Sequence, residues 1–392
     1  MSHQAGPPQG HPVGDKVLMH VAAVLKSALD VSDQVSRIGG DEFAVMRRNV
    51  TAPDALALAD HMIALIGTPF EIEGLLVSIQ ASAGVAMSPK DGVDTEQLFK
   101  RADIALYASK DAGKGTARLF ATAMEDVFLR RERLKSEVAK ALDAQEFEIE
   151  YQPVIEIATG RVCRFEALLR WNHPASGRVS PAEFIPVAEE TGAIVAIGDW
   201  VIRKACLAAA TWPGDVGVAV NVSVRQFEPT LPLKIAGALS DSGLNESRLE
   251  IEITESVLMQ GSDESLAILH QIRSLGVRIS LDDFGTGYSS LSYLQRFPFH
   301  KLKIDRSFIS GTIGTSEARA IVRSVIQLGH SLGMKVTAEG VETVEQLERM
   351  RVKGCDEAQG FLFSASVPSD EVNHLILRLN NGCAAGASAA HA

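Results

Sequence analysis

From residue 147 onward one arrangement recurs: a short apolar run that ends on, or carries near its end, a polar side chain. RVCRFE closes on Glu166, VGVAVN on Asn221, RISLDD on Asp282 and Asp283, and MKVTAE on Glu339. Glu252 lies in LEIEITE, Lys303 in HKLKID, and Gln359 follows CDEA. Five carboxylates gathered at one place repel one another, so either cations bind among them or several are protonated. Carboxylate, amide and water oxygens are hard ligands suited to Mg2+ or Mn2+. The four cysteines, Cys163, Cys206, Cys355 and Cys383, stand far apart and form no Cys/His cluster of the kind that binds structural zinc. Two cations about 4 Å apart would activate a water and stabilise the leaving oxygen of a phosphate ester. Lys303 would orient that water or balance transition-state charge. Taken singly, the same residues have plainer readings. Glu166 or Glu339 at a strand end can be a solvated or salt-bridged carboxylate, and Lys303 can pair with Asp305 on the same strand face.

These groups meet only if their strands converge. Eight strand-like runs recur: FEIEYQPVIEI, RVCRFEALLRW, VGVAVNVSV, LEIEITES, VRISLDDFG, HKLKIDRS, MKVTAEGVE and CDEAQGFLF. Helical stretches separate most of them, and the whole covers about 235 residues, the size of a (β/α)8 barrel. In that fold the carboxyl ends of the strands share one mouth. The first two runs lack an intervening helix, which predicts a hairpin start and a modified TIM-like barrel. Neighbours on a strand point to opposite sides, so Asp283 must swing inward as its strand opens into a loop.

Upstream the pattern predicts a separate α/β domain. MSHQAGPPQGHPVG reads as a flexible tail, followed by a helix at about 15–29. VSRIG meets GDEFAV through Gly39-Gly40, a hairpin turn that needs glycine conformations. Helices at about 52–66 and 95–111 frame PFEIEG and LLVSIQASAGVAM as strands. The expected domains are 10–120, a helical connector at 121–140, the barrel at 141–378, and a disordered tail at 379–392, too small and polar to pack.

With 46% hydrophobic and 22% charged residues in 392, the chain has ordinary globular composition and room for two or three domains. A net charge of -11 opposes broad adhesion to a nucleic-acid polymer or an anionic membrane. No apolar run approaches the roughly 20 residues of a membrane span, and the first fourteen residues do not read as an export signal. Reduced thiols in the cytoplasm are the expectation.

Residues 141–378 closely resemble the EAL domain of cyclic di-GMP phosphodiesterases. The resemblance is carried by Glu166-Ala167-Leu168 within EALLRW, NVS at 221–223, EITES at 252–256, DDFGTGYSS at 282–290, KID at 303–305, AEGVE at 338–342 and QGFLF at 359–363. It implies a hydrolase that opens cyclic di-GMP to linear 5'-pGpG, using two Mg2+ or Mn2+ ions held by Glu166, Asn221, Glu252, Asp282 and Asp283. It assigns catalysis to Lys303, Glu339 and Glu166, substrate contacts to Arg170, Gln359 and Leu168, and an anchoring role to Glu255 beneath the DDFGTGYSS loop. Gly285 and Gly287 suit a mobile lid in that loop. Pairing of barrels into a homodimer is also implied. The alternative is a cyclic di-GMP receptor that signals without turnover. Glu166→Ala separates the two readings, since it should abolish hydrolysis yet need not prevent binding.

Residues 10–120 resemble the diguanylate cyclase domain named for GGDEF, here Gly39-Gly40-Asp41-Glu42-Phe43, with GHPVGDKVL at 10–18 and ADIALYASKDAGKG at 102–115 in support. The resemblance would place Asp41 on a metal, Glu42 near the reacting hydroxyl, and Lys110 and Lys114 on the triphosphate of GTP. In that family a first strand with a second metal-binding Asp, and a helix with guanine contacts, precede the position of Gly10-His11. This sequence starts too late to include them, so a partial GGDEF domain without cyclase activity is expected, regulatory or binding GTP. The family's inhibitory RxxD motif reads Asp30-Val31-Ser32-Asp33.

Overall fold

The computed structural model describes residues 11–259, 263–285, 294, 296–310 and 316–389. It divides into two compact units, Met1–Arg133 and Leu134–Ala392.

In the first unit the helices are His11–Ser27, Ala52–Ile66 and Thr95–Asp111. Two of them begin under a side-chain cap: Thr51 accepts from the Asp54 N–H and Asp94 from the Gln97 N–H. Strands β1 (Gln34–Gly39) and β2 (Glu42–Met46) form an antiparallel hairpin whose turn has Gly40 at φ 51°. β3 (Phe70–Ile72) pairs with β4 (Leu75–Val77), and β5 (Ala83–Val85) lies parallel to β6 (Ala117–Leu119). LLVSIQASAGVAM is therefore two short strands separated by non-strand residues. The described strands form three two-stranded sheets, not one central sheet, because none lies between them to carry the ladder onward.

The second unit is a closed ring of eight strands. β7 (Phe147–Glu156) is antiparallel to both its neighbours, β8 (Val162–His173) and β15 (Glu357–Gln359). From β8 the ring continues in parallel through β10 (Gly217–Asn221), β11 (Leu249–Thr254), β12 (Arg278–Phe284), β13 (Lys301–Ile304) and β14 (Lys335–Ala338) to β15. Short strands β9 (Gly177–Val179) and β16 (Val367–Pro368) add to β8 and β7 outside the ring. The hairpin start and the (β/α)8 architecture are as the strand count predicts.

Strand alternation puts the apolar core in a shell around the ring. Phe165, Val218, Val220, Ile251, Ile253, Ile279, Leu281, Leu302, Ile304 and Val336 point outward and are buried beneath the helices. Helix Ala193–Ala210 meets that shell with Ile194, Ile197, Val201, Ile202, Ala205 and Ala209, one face at helical spacing. The alternate positions point into the ring, and most of those are polar. Helix Thr122–Ala141 spans the expected connector, and its Leu134, Val138 and Ala141 are buried in the barrel unit's core.

The tail expected to be disordered from 379 is corrected: the last helix runs Val372–Ala389. Leu375, Ile376 and Leu379 pack on the barrel core, and Asn380 Oδ1 accepts the Val162 N–H at 2.9 Å. The alanines that follow have the strongest helix propensity and extend a helix already nucleated by that packing.

Candidate active site

Seven of the eight ring strands deliver a polar group to the same end of the ring. Glu166 stands on β8, Asn221 ends β10, Glu252 is on β11, Asp282 and Asp283 are near the end of β12, Lys303 is on β13, Glu339 follows β14 and Gln359 ends β15. Lys303 is the hub. Its Nζ lies 2.7 Å from Glu252 Oε2, 3.1 Å from Asp282 Oδ2, 2.6 Å from Glu339 Oε1 and 3.7 Å from Glu166 Oε2. The plainer pairing with Asp305 is not formed; Asp305 Oδ1 instead accepts the Ser307 N–H at 2.9 Å. Glu166 is held by two amides, Asn221 Nδ2 on Oε1 and Gln359 Nε2 on Oε2, each at 2.6 Å.

The two consecutive aspartates reach the site through a backbone irregularity. Asp283 has φ 54°, and the register of β12 against β13 shifts between Leu281 and Phe284. A non-glycine residue in this region costs about 1 kcal/mol. The result is that one carboxylate oxygen each from Asp282, Asp283 and Glu339 lie within 4.8 Å of one another.

Among the described residues the charges do not balance: Glu166, Glu252, Asp282 and Glu339 lie within 4 Å of Lys303, and an Asp283 carboxylate oxygen lies within 4.8 Å of ones from Asp282 and Glu339. Burial drives the Glu252 carboxyl well above its usual range, with Glu166 and Asp282 adding to the effect and Lys303 opposing it. Burial likewise pushes Glu339 up to about 8, Lys303 opposing and Asp282 and Glu166 adding. Asp283 is raised by burial and by Asp282. Burial works against the Lys303 charge, but Asp282, Glu166, Glu252 and Glu339 outweigh it, so this lysine stays an ammonium. Divalent cations fit such a site. Its donors are hard oxygens, three carboxylates are within bridging range, and Gln359 Oε1 is buried with no hydrogen-bond partner among the described residues.

The EAL domain model matches residues 135–366, more than half of the chain. The chain belongs to the EAL domain family. The diguanylate cyclase GGDEF domain model matches residues 8–116, so the two stand in tandem. The uncharacterized protein y4lL of Sinorhizobium fredii is 45% identical over 369 residues, 94% of this chain and 45% of the relative. The bifunctional diguanylate cyclase/cyclic di-GMP phosphodiesterase MucR of Pseudomonas aeruginosa is 39% identical, over 93% of this chain and 54% of its own. The chain thus spans about half the length of these relatives. Among solved structures, the PaMucR phosphodiesterase in its c-di-GMP complex is 42% identical with a TM-score of 0.59, covering 61% of this chain and 99% of the other. EAL phosphodiesterases in general depend on divalent metal.

In this EAL barrel Glu255 Oε1 accepts the Gly285 N–H at 2.9 Å, where the DDFGTGYSS loop leaves β12. Residues 286–290, and with them Gly287 and the expected lid, lie outside the described residues. Leu168 and Arg170 are half-buried and share the strand face of Glu166. In the GGDEF unit, Asp41 and Glu42 are exposed after the Gly39-Gly40 turn, and Lys110 and Lys114 are exposed around the end of helix Thr95–Asp111. None of these four side chains has a hydrogen bond or ion pair to another described residue, so nothing assembles them into a formed site. Asp30 and Asp33 both pair with Arg47, at 2.6 Å for Asp33.

A second polar layer was legible in the sequence but unread. Two positions before the mouth residues stand Arg164, Glu250, Ser280, Lys301, Thr337 and Glu357, all buried. Lys301 Nζ lies 2.9 Å from Glu250 Oε1 and 2.7 Å from Glu357 Oε2, Arg164 Nη2 lies 3.4 Å from Glu250 Oε2, and the Thr337 hydroxyl donates to Glu357 at 3.1 Å. Burial opposes the Glu250 charge, yet Arg164 and Lys301 hold its pKa down to about 2. Gly217 leaves room for this layer, since a Cβ there would come within 2.9 Å of Arg164 Nη1. The signal was the interval of two: a strand polar at each inward position has a polar interior.

Proposed function

We propose that the EAL barrel hydrolyses cyclic di-GMP to linear 5'-pGpG. One observation carries the reading: four carboxylates surround the buried Lys303 ammonium at the barrel mouth, two amides hold one of them, and Asp283 joins Asp282 and Glu339 beside it. The substrate class is supported by relatives named as cyclic di-GMP phosphodiesterases, NbdA of P. aeruginosa and PdeR of Escherichia coli, 38% and 34% identical. In this proposal Glu166, Asn221, Glu252, Asp282 and Asp283 hold two cations, Mg2+ or Mn2+, and Glu339 and Gln359 complete the set directly or through water. When bound, the cations supply activation of water and neutralisation of phosphodiester charge. Lys303 keeps Glu252, Asp282 and Glu339 in register and faces the charge that builds during attack. Leu168 offers an apolar surface to a base, and Arg170 a guanidinium to phosphate.

The finer parts are proposals of the same kind. The GGDEF unit is a regulatory partner that can take GTP, barrels pair, and the protein works in the cytoplasm, a location that suits the free thiols of Cys163, Cys206 and Cys355. The test is chromatography of cyclic di-GMP incubated with the protein and Mg2+ or Mn2+, beside a Glu166→Ala control. Linear pGpG from the wild type alone supports the assignment. Unchanged substrate with calorimetric binding would replace it with the receptor reading.

A further inference from the structure

Above the mouth, β7 and β8 continue as a ribbon to which β9 adds a third strand. Register sets Gln152 opposite Glu166, Glu150 opposite Leu168, Glu148 opposite Arg170, and Arg178 opposite Asn172. Opposed residues and alternate residues share a face, so Arg178 belongs to the face that carries Glu166, Leu168 and Arg170. Arg178 does not stay at its own level. Its Nη2 reaches Glu150 Oε1 at 2.5 Å, and Glu150 stands roughly 7 Å above the level of Glu166 by strand rise.

Glu150 clamps both arginines. Its Oε2 accepts Arg170 Nε at 2.9 Å and the Ser366 hydroxyl at 2.6 Å, while Oε1 takes Arg178. Burial opposes its charge, but Ser366, Arg178 and Arg170 hold its pKa down to about 2, so the clamp stays ionised in any working buffer. The two guanidinium groups differ in what they have left to offer. Every nitrogen of Arg170 already has a protein acceptor: Glu150 for Nε, the Leu169 carbonyl for Nη1 and the Ser366 hydroxyl for Nη2. Arg178 engages Nη2 alone among the described residues, and its side chain is 51% exposed against 16% for Arg170. Glu148, opposite Arg170 in register, is exposed and forms no ion pair with a described residue.

We infer that Arg178 is a second guanidinium contact to substrate phosphate, held beside Arg170 by Glu150. The inference rests on the hydrolase reading above and adds a determinant of substrate affinity to it. A guanidinium that spends one Nη2–H on Glu150 keeps the other Nη2–H, which with Nε or with Nη1 forms an edge that can take two phosphate oxygens in parallel. Its charge also offsets part of the repulsion a dianionic ligand meets above five carboxylates.

Steady-state kinetics of the full chain with Arg178→Ala, Arg178→Lys and Glu150→Gln test this. Arg178→Ala should raise KM for cyclic di-GMP about tenfold and hold kcat within about twofold, because the contact forms in the ground state as well as the transition state. Arg178→Lys should recover part of the KM, and the dependence of kcat/KM on salt should flatten in Arg178→Ala. Glu150→Gln should raise KM by releasing both arginines. A KM for Arg178→Ala within twofold of wild type, or a fall in kcat alone, overturns the inference. If Arg178→Ala folds poorly, Arg178→Lys decides: a raised KM at unchanged melting temperature supports the contact, and an unchanged KM overturns it. A wild type that hydrolyses nothing sinks the hydrolase reading instead.

Discussion

Two layers of charge fill the interior of the EAL barrel, and they meet the cost of burial in opposite ways. The lower one sets Arg164 and Lys301 against Glu250 and Glu357, two charges of each sign in mutual contact. The upper one sets five carboxylates against Lys303. Both are built on the same strands, two residues apart. The lower layer is balanced in charge, so it serves as a floor, although Arg164 Nε and Nη1, both Glu250 oxygens and the Ser280 hydroxyl have no hydrogen-bond partner among the described residues. The upper layer carries an excess of negative charge among the described residues, which protons or cations from outside would offset, as the proposed site requires. What separates structural polarity from functional polarity here is charge balance, not burial.

The largest test of that contrast is catalytic. Lys303→Ala or Glu252→Gln should lower kcat/KM about a thousandfold or more while the circular dichroism spectrum is retained. Wild-type turnover in Lys303→Ala would remove the hub from the mechanism. Next comes stability. Glu250→Gln leaves Arg164 and Lys301 short of a counter-charge and should cost about 3–5 kcal/mol in urea unfolding at pH 7. The pKa of Glu250 is depressed, so its contribution is present above the unfolded value near 4.5 and is lost as pH falls toward 2. A neutral outcome at pH 7 would mean the ion pairs of the lower layer do not carry the stability their distances imply.

The upper layer should behave with the reverse sign. Glu339 is raised to about 8, so in metal-free protein its favourable contribution is full below the unfolded pKa and is lost as pH climbs through 8. Metal-free protein should therefore melt roughly 5 °C lower at pH 8.5 than at pH 5.5, and saturating Mg2+ or Mn2+ should erase the difference. Equal melting temperatures without metal would break the comparison. Smallest is Ser280→Ala. The Ser280 hydroxyl is buried in the lower layer with no hydrogen-bond partner among the described residues. Its removal should change stability by about 0.5 kcal/mol or less. A larger loss would show that the hydroxyl takes part in the network.

How much could be read in advance differed between the two units. In the barrel, each mouth residue sat at the end of its own apolar run, so strand and site were readable together in Glu166, Asn221, Glu252, Asp282, Lys303, Glu339 and Gln359. In the GGDEF unit, the hairpin around Gly39-Gly40 was readable because its turn is local, but a single sheet was not, because sheet membership depends on partners distant in sequence. The helix through 379–389 was missed for a related reason: its small residues extend a helix that Leu375 and Ile376 dock.

The sequence by itself determined the number of strands, the reversed first strand and the hydrophilic groups at one end, because all of these follow from local periodicity and residue chemistry. Only the tertiary structure decided which carboxylates Lys303 holds, that Asp283 turns through a left-handed backbone to join Asp282, and that Glu150 gathers Arg170 with Arg178. Those are facts of register and stagger. A one-residue change in either sends a side chain to the opposite face, and no single strand carries that information.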